Sequence, residues 1–315
     1  MRITLKVLFI IIFLSASALQ AATGHGGVPG IQQRLNLDAR FMSLGSAYDA
    51  VSYDSDGIYY NPAGLVTLAN PIVTLSYLPV WDNLTHIFFA GIGFDTKYLP
   101  IGIGFINMST KGIKQRTDSP EVEGLMEYRD FTLYAATGVE VLPHFSLGAR
   151  SGFYYQKIYT YEGWGIGADL SFLWRVKDPY KYTKNKLMRI LQPISFGIIL
   201  YNVLPPQITL STGSISFPLL VKGSLTYRYP TLWKILNIET GFGVESIPDG
   251  NSTIVNSGIE LTMWKFFFLR GGYKITDKTF TIGSGVTMRD ITFDYGLSLL
   301  SAGINYYTIN VKVEF

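Results

Sequence analysis

From Tyr307 to the final Phe315, every second residue is apolar or aromatic: Tyr307, Ile309, Val311, Val313 and Phe315. Thr308, Asn310, Lys312 and Glu314 lie between them. A strand turns successive side chains to opposite faces, so this segment has one greasy face and one wet face. The same period recurs upstream. Phe131, Leu133, Ala135, Val139 and Val141 alternate with Thr132, Tyr134, Gly138 and Glu140. Trp164, Ile166, Ala168, Leu170, Phe172 and Trp174 alternate with Gly165, Gly167, Asp169, Ser171 and Arg175. Ile291, Phe293, Tyr295, Leu297 and Leu299 alternate with Thr292, Asp294, Gly296 and Ser298. In each, one face suits lipid and the other a packed or watered lumen. The pattern predicts strands over 71–80, 85–96, 98–109, 129–142, 144–159, 164–177, 193–203, 215–229, 234–246, 254–264, 266–275, 279–288, 290–300 and 305–315. That is about fourteen, an even number, as single-chain bacterial barrels have.

Composition turns these strands into a membrane wall. The chain is 48% hydrophobic, 15% aromatic and only 16% charged, with mean hydropathy +0.22. Yet no later stretch approaches the roughly 18 consecutive apolar residues of a membrane helix. A lipid-facing surface without such helices requires a closed barrel, because every backbone group in hydrocarbon needs a partner. The expected fold is all-β, a transmembrane antiparallel barrel over 71–315. Residues 1–21 read as a secretory leader, with Arg2 and Lys6 before the apolar run Val7–Leu14 and small residues after it. Setting Arg2 and Lys6 aside leaves 24 of the 26 basic residues against 23 acidic ones, so there is no basic field for nucleic acid. With no Cys, neither a disulfide nor a lipid anchor on an N-terminal Cys is expected.

Strand charges mostly take the inward parity: Glu140, Arg150, Asp169, Arg175, Lys222, Arg228, Glu239, Glu245, Glu260, Arg270, Lys274 and Asp294. A charge on the lipid face at mid-membrane costs about 2–4 kcal/mol. Their mixed signs predict a lumen laced with ion pairs. Tyr154, Tyr155, Tyr159, Tyr161, Tyr227, Tyr229, Trp233, Tyr306 and Tyr307 stand near strand ends, where aromatic girdles form. With the last strand ending in the periplasm, 110–127 is a polar outer loop and the long basic connection 178–192 falls on the periplasmic side. The other outer loops are expected to be short. Pro100 removes a ladder donor and marks an expected weak point in the wall.

Residues 22–70 lack any sustained period. They hold Gly26–Gly30, then Arg40, Ser43, Leu44, Gly45 and Ala47, then Asn61, Pro62, Ala63, Gly64 and Leu65. Such a segment either hangs below a barrel or folds into it. Its small residues suit a tight plug, and Gly91, Gly93, Gly102 and Gly104, all inward by parity, leave it space at the wall. Asn61 can bond backbone groups and Pro62 fixes φ, which together make a compact corner.

Arg-x-x-Ser-Leu-Gly-Ser-Ala at 40–47 and Asn-Pro-Ala-Gly-Leu at 61–65 resemble the hatch of the outer-membrane long-chain fatty-acid transporters (FadL-like). They equally resemble the related barrels attached to a protein secretion system (PorV-like). The first resemblance implies a monomeric outer-membrane barrel in which 22–70 gates the passage of a hydrophobic ligand such as a fatty acid; the second implies an export partner without transport. Neither implies a cofactor. The C-terminal strand ending on Phe315 resembles the signal read by the outer-membrane barrel insertion machinery. Short outer loops depart from the fatty-acid transporters, so their capture site does not carry over.

Other motifs are weaker. Asp54-Ser55-Asp56-Gly57 lacks the downstream Glu of a calcium loop and reads as a solvated turn. His25, His86 and His144 have no ligand spacing, so no metal is expected. His144 and Ser146 share a strand face, but an inward one, away from lipid substrate, so no catalysis is expected.

Overall fold

The computed structural model describes residues 29–81, 83–115, 122, 124–176, 193–211, 213–229, 235–248, 252–300 and 305–315. The leader at 1–21, His25, Trp233, the segment 178–192 and most of 116–123 lie outside the described residues.

Among the described residues sixteen strands follow one another: β1 Ile72–Val80, β2 Thr85–Phe94, β3 Ile101–Gln115, β4 Gly124–Leu142, β5 Phe145–Ile158, β6 Tyr161–Trp174, β7 Ile194–Leu204, β8 Gln207–Leu210, β9 Gly213–Ser216, β10 Leu220–Arg228, β11 Leu236–Ile247, β12 Ser252–Met263, β13 Phe267–Lys274, β14 Thr279–Met288, β15 Ile291–Leu299 and β16 Asn305–Glu314. Fourteen close into one antiparallel barrel in which β1 pairs with both β2 and β16; β8 and β9 form a separate hairpin. Alternation decides the faces. On β5, Phe145, Leu147 and Phe153 are exposed, whereas Ser146, Arg150 and Tyr154 are buried. Turns at 143–144, 264–266 and 289–290 are tight, and they share the end of the barrel where β16 finishes. Short turns mark the periplasmic end of such barrels.

Several expectations need correction. The polar stretch 110–127 is largely strand: β3 runs to Gln115 and β4 starts at Gly124. The outer connection 205–219 is not short. It contains β8 and β9 and folds inward, burying Ile208 and Phe217 in the lumen; four-residue strands are too short to cross a bilayer. Tyr154 is no girdle residue but a buried inward one, its hydroxyl accepting from Gln33 Nε2 at 3.0 Å. Tyr306 also faces inward, at the rim of a cavity. Pro100 lies just outside β3 and does not interrupt the ladder. The wall is broken elsewhere. Between β6 and β7 the register jumps from Leu170↔Leu200 to Ala168↔Leu204, and the β1–β16 ladder stops at Tyr77↔Ile309, just before Pro79.

Candidate functional site: the hatch and its seat

Residues 31–67 occupy the lumen as short helical turns: a 3-10 turn at Ile31–Gln33, α1 at Ala39–Ser43, and 3-10 turns at Asp49–Val51, Asp54–Ile58 and Pro62–Thr67. Polar side chains hold the turn ends. Asp38 caps α1, accepting from the Arg40 amide at 2.7 Å. Asn61 caps the last turn, accepting from the Ala63 amide at 3.0 Å, with Pro62 in the first turn where a missing N–H costs nothing. The Asn61 amide also donates to the carbonyls of Ala50 at 2.5 Å and of Phe172, on β6, at 3.1 Å. One side chain thus ties two hatch segments to the wall.

Glycines let the wall backbone meet the hatch. Ile58 sits against Gly91, Gly102 and Gly104, and Leu68 against Gly93. Four further inward glycines continue the seat: a Cβ would strike the Ala50 carbonyl from Gly197, the Pro62–Ala63 peptide from Gly148, the Leu44 carbonyl from Gly258 and the Gly45 amide from Gly272. Gly45 itself needs its own lack of side chain, with φ 64 in the turn after α1. Leu44, Ala47, Ala63 and Leu65 are fully buried, and Phe41 stacks on Tyr60 at 4.0 Å.

The seat has two chemistries, so the lumen is not uniformly hydrophilic. Toward β1–β3 it is apolar: Leu78, Ile87, Phe89, Ile106 and Met108 pack with Ile58 and Tyr59. Toward β10–β16 it is ionic. Arg40 forks onto Glu260 at 2.8 and 3.1 Å, Glu260 accepts from Arg270 at 2.8 Å, and Arg270 reaches Asp294 at 2.5 Å. Lys222 holds Asp49 at 2.9 Å and Glu245 at 3.3 Å. Lys312 holds Asp56 at 2.6 Å and Asp38 at 3.3 Å. The Ser43 carbonyl accepts from the Thr281 hydroxyl at 2.9 Å. Inward parity places Arg150, Lys222, Glu245, Glu260, Arg270 and Asp294 inside, but nothing local in the sequence marks Asp38, Asp49, Asp56 or Lys312 as their counterparts between hatch and wall. Inward parity was the available signal for Lys312.

Asp54–Ile58 corrects the expectation of a solvated turn, since Ser55, Asp56 and Gly57 are buried. Burial, then the neighbouring Asp38 carboxylate, pushes the Asp56 carboxyl up to about 7 against the pull of Lys312. Released into water, it would ionise near 4. Below about 4 both forms are protonated. Between about 4 and 7 the seated hatch keeps a proton that the released hatch has lost, so seating weakens as pH rises; above about 7 the slope vanishes. The change is at most about 4 kcal/mol. The chain has no cysteine, so a dye on Ile31→Cys reports release cleanly. Its urea midpoint is expected to fall from pH 5 to pH 8, and Asp56→Asn to flatten that dependence.

Above the hatch, at the outer end, a cavity of about 380 Å³ opens between hatch and wall. Ile31 and Leu35 of the hatch face Val80, Trp81, Ile254 and Tyr306 of the wall. Arg34, Glu245, Asn256 and Lys274 supply its polar side, and the buried Asn256 Oδ1 has no hydrogen-bond partner. The cavity abuts the open top of the β1–β16 seam. The sequence does not bring its lining together as one site, because its walls come from both ends of the chain.

His144 lies in the β4–β5 turn, its amide donating to Glu140 at 2.8 Å, while Ser146 is buried on the lumen side. Among the described residues, no group of three or more acidic or His side chains is placed to hold a metal.

No family model matches the sequence, and no curated protein is similar to it. Solved structures are similar in fold. The toluene transporter TodX of Pseudomonas putida superposes with a TM-score of 0.55 at 10% identity, covering 87% of this chain and 96% of the transporter. A FadL homologue of Pseudomonas aeruginosa does so with a TM-score of 0.55 at 10% identity, covering 88% of this chain and 98% of its own. The closed antiparallel wall of fourteen strands is thus the fold these transporters have, and its apolar exterior makes the chain an outer-membrane barrel.

Proposed function

We propose that this barrel carries hydrophobic small molecules, such as long-chain fatty acids, across the outer membrane, with the hatch as its gate. The cavity between hatch and outer wall carries the reading. At about 380 Å³ it falls within the range of small-molecule sites. Its lining is apolar along Ile31, Leu35, Val80 and Tyr306 and polar at Lys274 and Asn256, which suits a chain with one polar end. The apolar seat at Ile58, Phe89 and Ile106 continues that surface inward. The hatch fills the lumen, so passage requires it to shift, and the Asn61–Pro62 corner is one of the points where wall and hatch are tied. The fold shared with a toluene transporter and a FadL homologue is consistent with this.

The test is binding of a fluorescent fatty acid to the refolded barrel. Saturable binding is expected. Asn61→Ala strips bonds from Ala63, Ala50 and Phe172, about 2–4 kcal/mol of hatch seating, and should change the affinity about tenfold or more. No binding by either form, with another protein co-purifying, would favour an export-partner role instead.

A further inference from the structure

The outer ends of β3–β6 carry a surface that hatch and cavity do not use. Register sets their outward residues in rows: Asn107, Phe131, Tyr155 and Trp164 in one, Ser109, Arg129, Lys157 and Glu162 in the next outward. The first row is aromatic. Phe131 packs on Phe105 at 4.9 Å and Trp164 on Phe153 at 6.0 Å. Rings of this kind settle at the membrane–water interface, so the next row stands among the lipid headgroups.

That row is charged, and a bulge enriches it. The β3–β4 register passes from Thr110↔Tyr128 to Ile113↔Met126, one extra residue on β3, with Gly112 at φ 75. Without the bulge Lys114 would share the inward face of Thr110. With it, Lys114 stands opposite Leu125, on the outward side with Lys111. Lys111, Lys114, Arg129 and Lys157 are all exposed. Two carboxylates temper them: Glu127 pairs with Arg129 at 2.9 Å, and Glu162 accepts from the Tyr155 hydroxyl at 2.6 Å. Neither burial nor hatch contact accounts for any of the three lysines, and the two carboxylates beside them leave the four cations in excess.

We propose that this patch binds the phosphates of an outer-leaflet glycolipid of the lipid A type. Such a headgroup carries more than one phosphate and meets several of these cations together; a glycerophospholipid phosphate meets fewer. The inference rests on the barrel's orientation and is independent of the transport reading.

Native mass spectrometry of the folded barrel, titrated with lipid A or with phosphatidylglycerol, tests it. The intact protein is expected to hold lipid A about tenfold or more tightly than the triple variant Lys111→Glu/Lys114→Glu/Lys157→Glu. High salt should erase the difference. Lys278→Glu, an exposed cation on another outer turn, should leave binding unchanged. A heat-dependent shift in electrophoretic mobility shows that the triple variant is folded. Equal retention of lipid A by the intact and triple forms overturns the proposal, as does equal binding of both lipids by the intact protein.

Discussion

Gly197→Leu is expected to unseat the hatch while leaving the barrel closed. A Cβ at this position would collide with the Ala50 carbonyl, which is backbone and cannot rotate away. Overpacking a tight interior costs about 1–3 kcal/mol when side chains can yield. Here the hatch itself must retreat, so about 3 kcal/mol or more is expected. Ala50 would then lose both its ties, the Asn61 side-chain amide that donates to its carbonyl and the Ser224 hydroxyl that accepts from its N–H. The wall has no matching reason to fail: Gly197 is flanked in register by Leu173 and Ser224, and a strand accepts leucine. In a planar bilayer the intact protein should conduct little and the variant should show open-channel current. Gly223 supplies the control. It lies in the next strand, where a Cβ would meet only the Gly197 carbonyl at 3.9 Å. Gly223→Leu should stay closed. Current equal to that of the intact protein from a folded Gly197→Leu barrel would show that the hatch does not seal the lumen.

How much of this was legible beforehand follows from the range of the forces involved. Each of the fourteen expected spans overlaps an observed strand, because a two-residue period is a local signal and lipid punishes its violation. The span 215–229 shows the limit. Ile208 and Leu210 on one arm, and Ile215 and Phe217 on the other, alternate like any strand, and nothing local says that this hairpin turns into the lumen. The bulge at Gly112 is equally silent in the sequence, so polarity alone assigns Lys114 to a loop. Tyr154 and Tyr155 are neighbours with opposite fates, one bonded to Gln33 and one to Glu162; clustering near a strand end does not separate them, whereas parity does. The hatch was visible as small residues without a period and as the Asn61–Leu65 corner. Its ionic partners were not, since Lys312 meets Asp56 from the far end of the chain. Asp54–Gly57 misled because turn-forming residues report backbone geometry and say nothing about burial.

The same ledger of local and distant ties singles out Arg150. It is fully buried on β5 and salt-bridged to Asp169 on β6 at 2.5 Å. Its remaining donors leave the wall: it gives hydrogen bonds to the hatch carbonyls of Ile58 at 3.2 Å and Tyr59 at 2.5 Å. Tyr134 and Tyr201 flank the guanidinium at 4.2 and 5.1 Å. One residue therefore serves the barrel through Asp169 and the hatch through two carbonyls, just before the Asn61 corner. Arg150→Met strands Asp169 as a buried charge whose remaining described donor is the Asn202 amide at 2.6 Å, and about 3–5 kcal/mol of stability should be lost. Adding Asp169→Asn removes the stranded charge, so barrel unfolding in urea should recover most of that loss. Hatch release should not recover, because both carbonyls still lack their donor. A dye on Ile31→Cys reads the hatch, and the electrophoretic mobility of the folded barrel reads the wall. If the double variant restored both signals together, the two carbonyl bonds would contribute nothing to holding the hatch. If it restored neither, the salt bridge would not be the main tie between β5 and the rest of the seat.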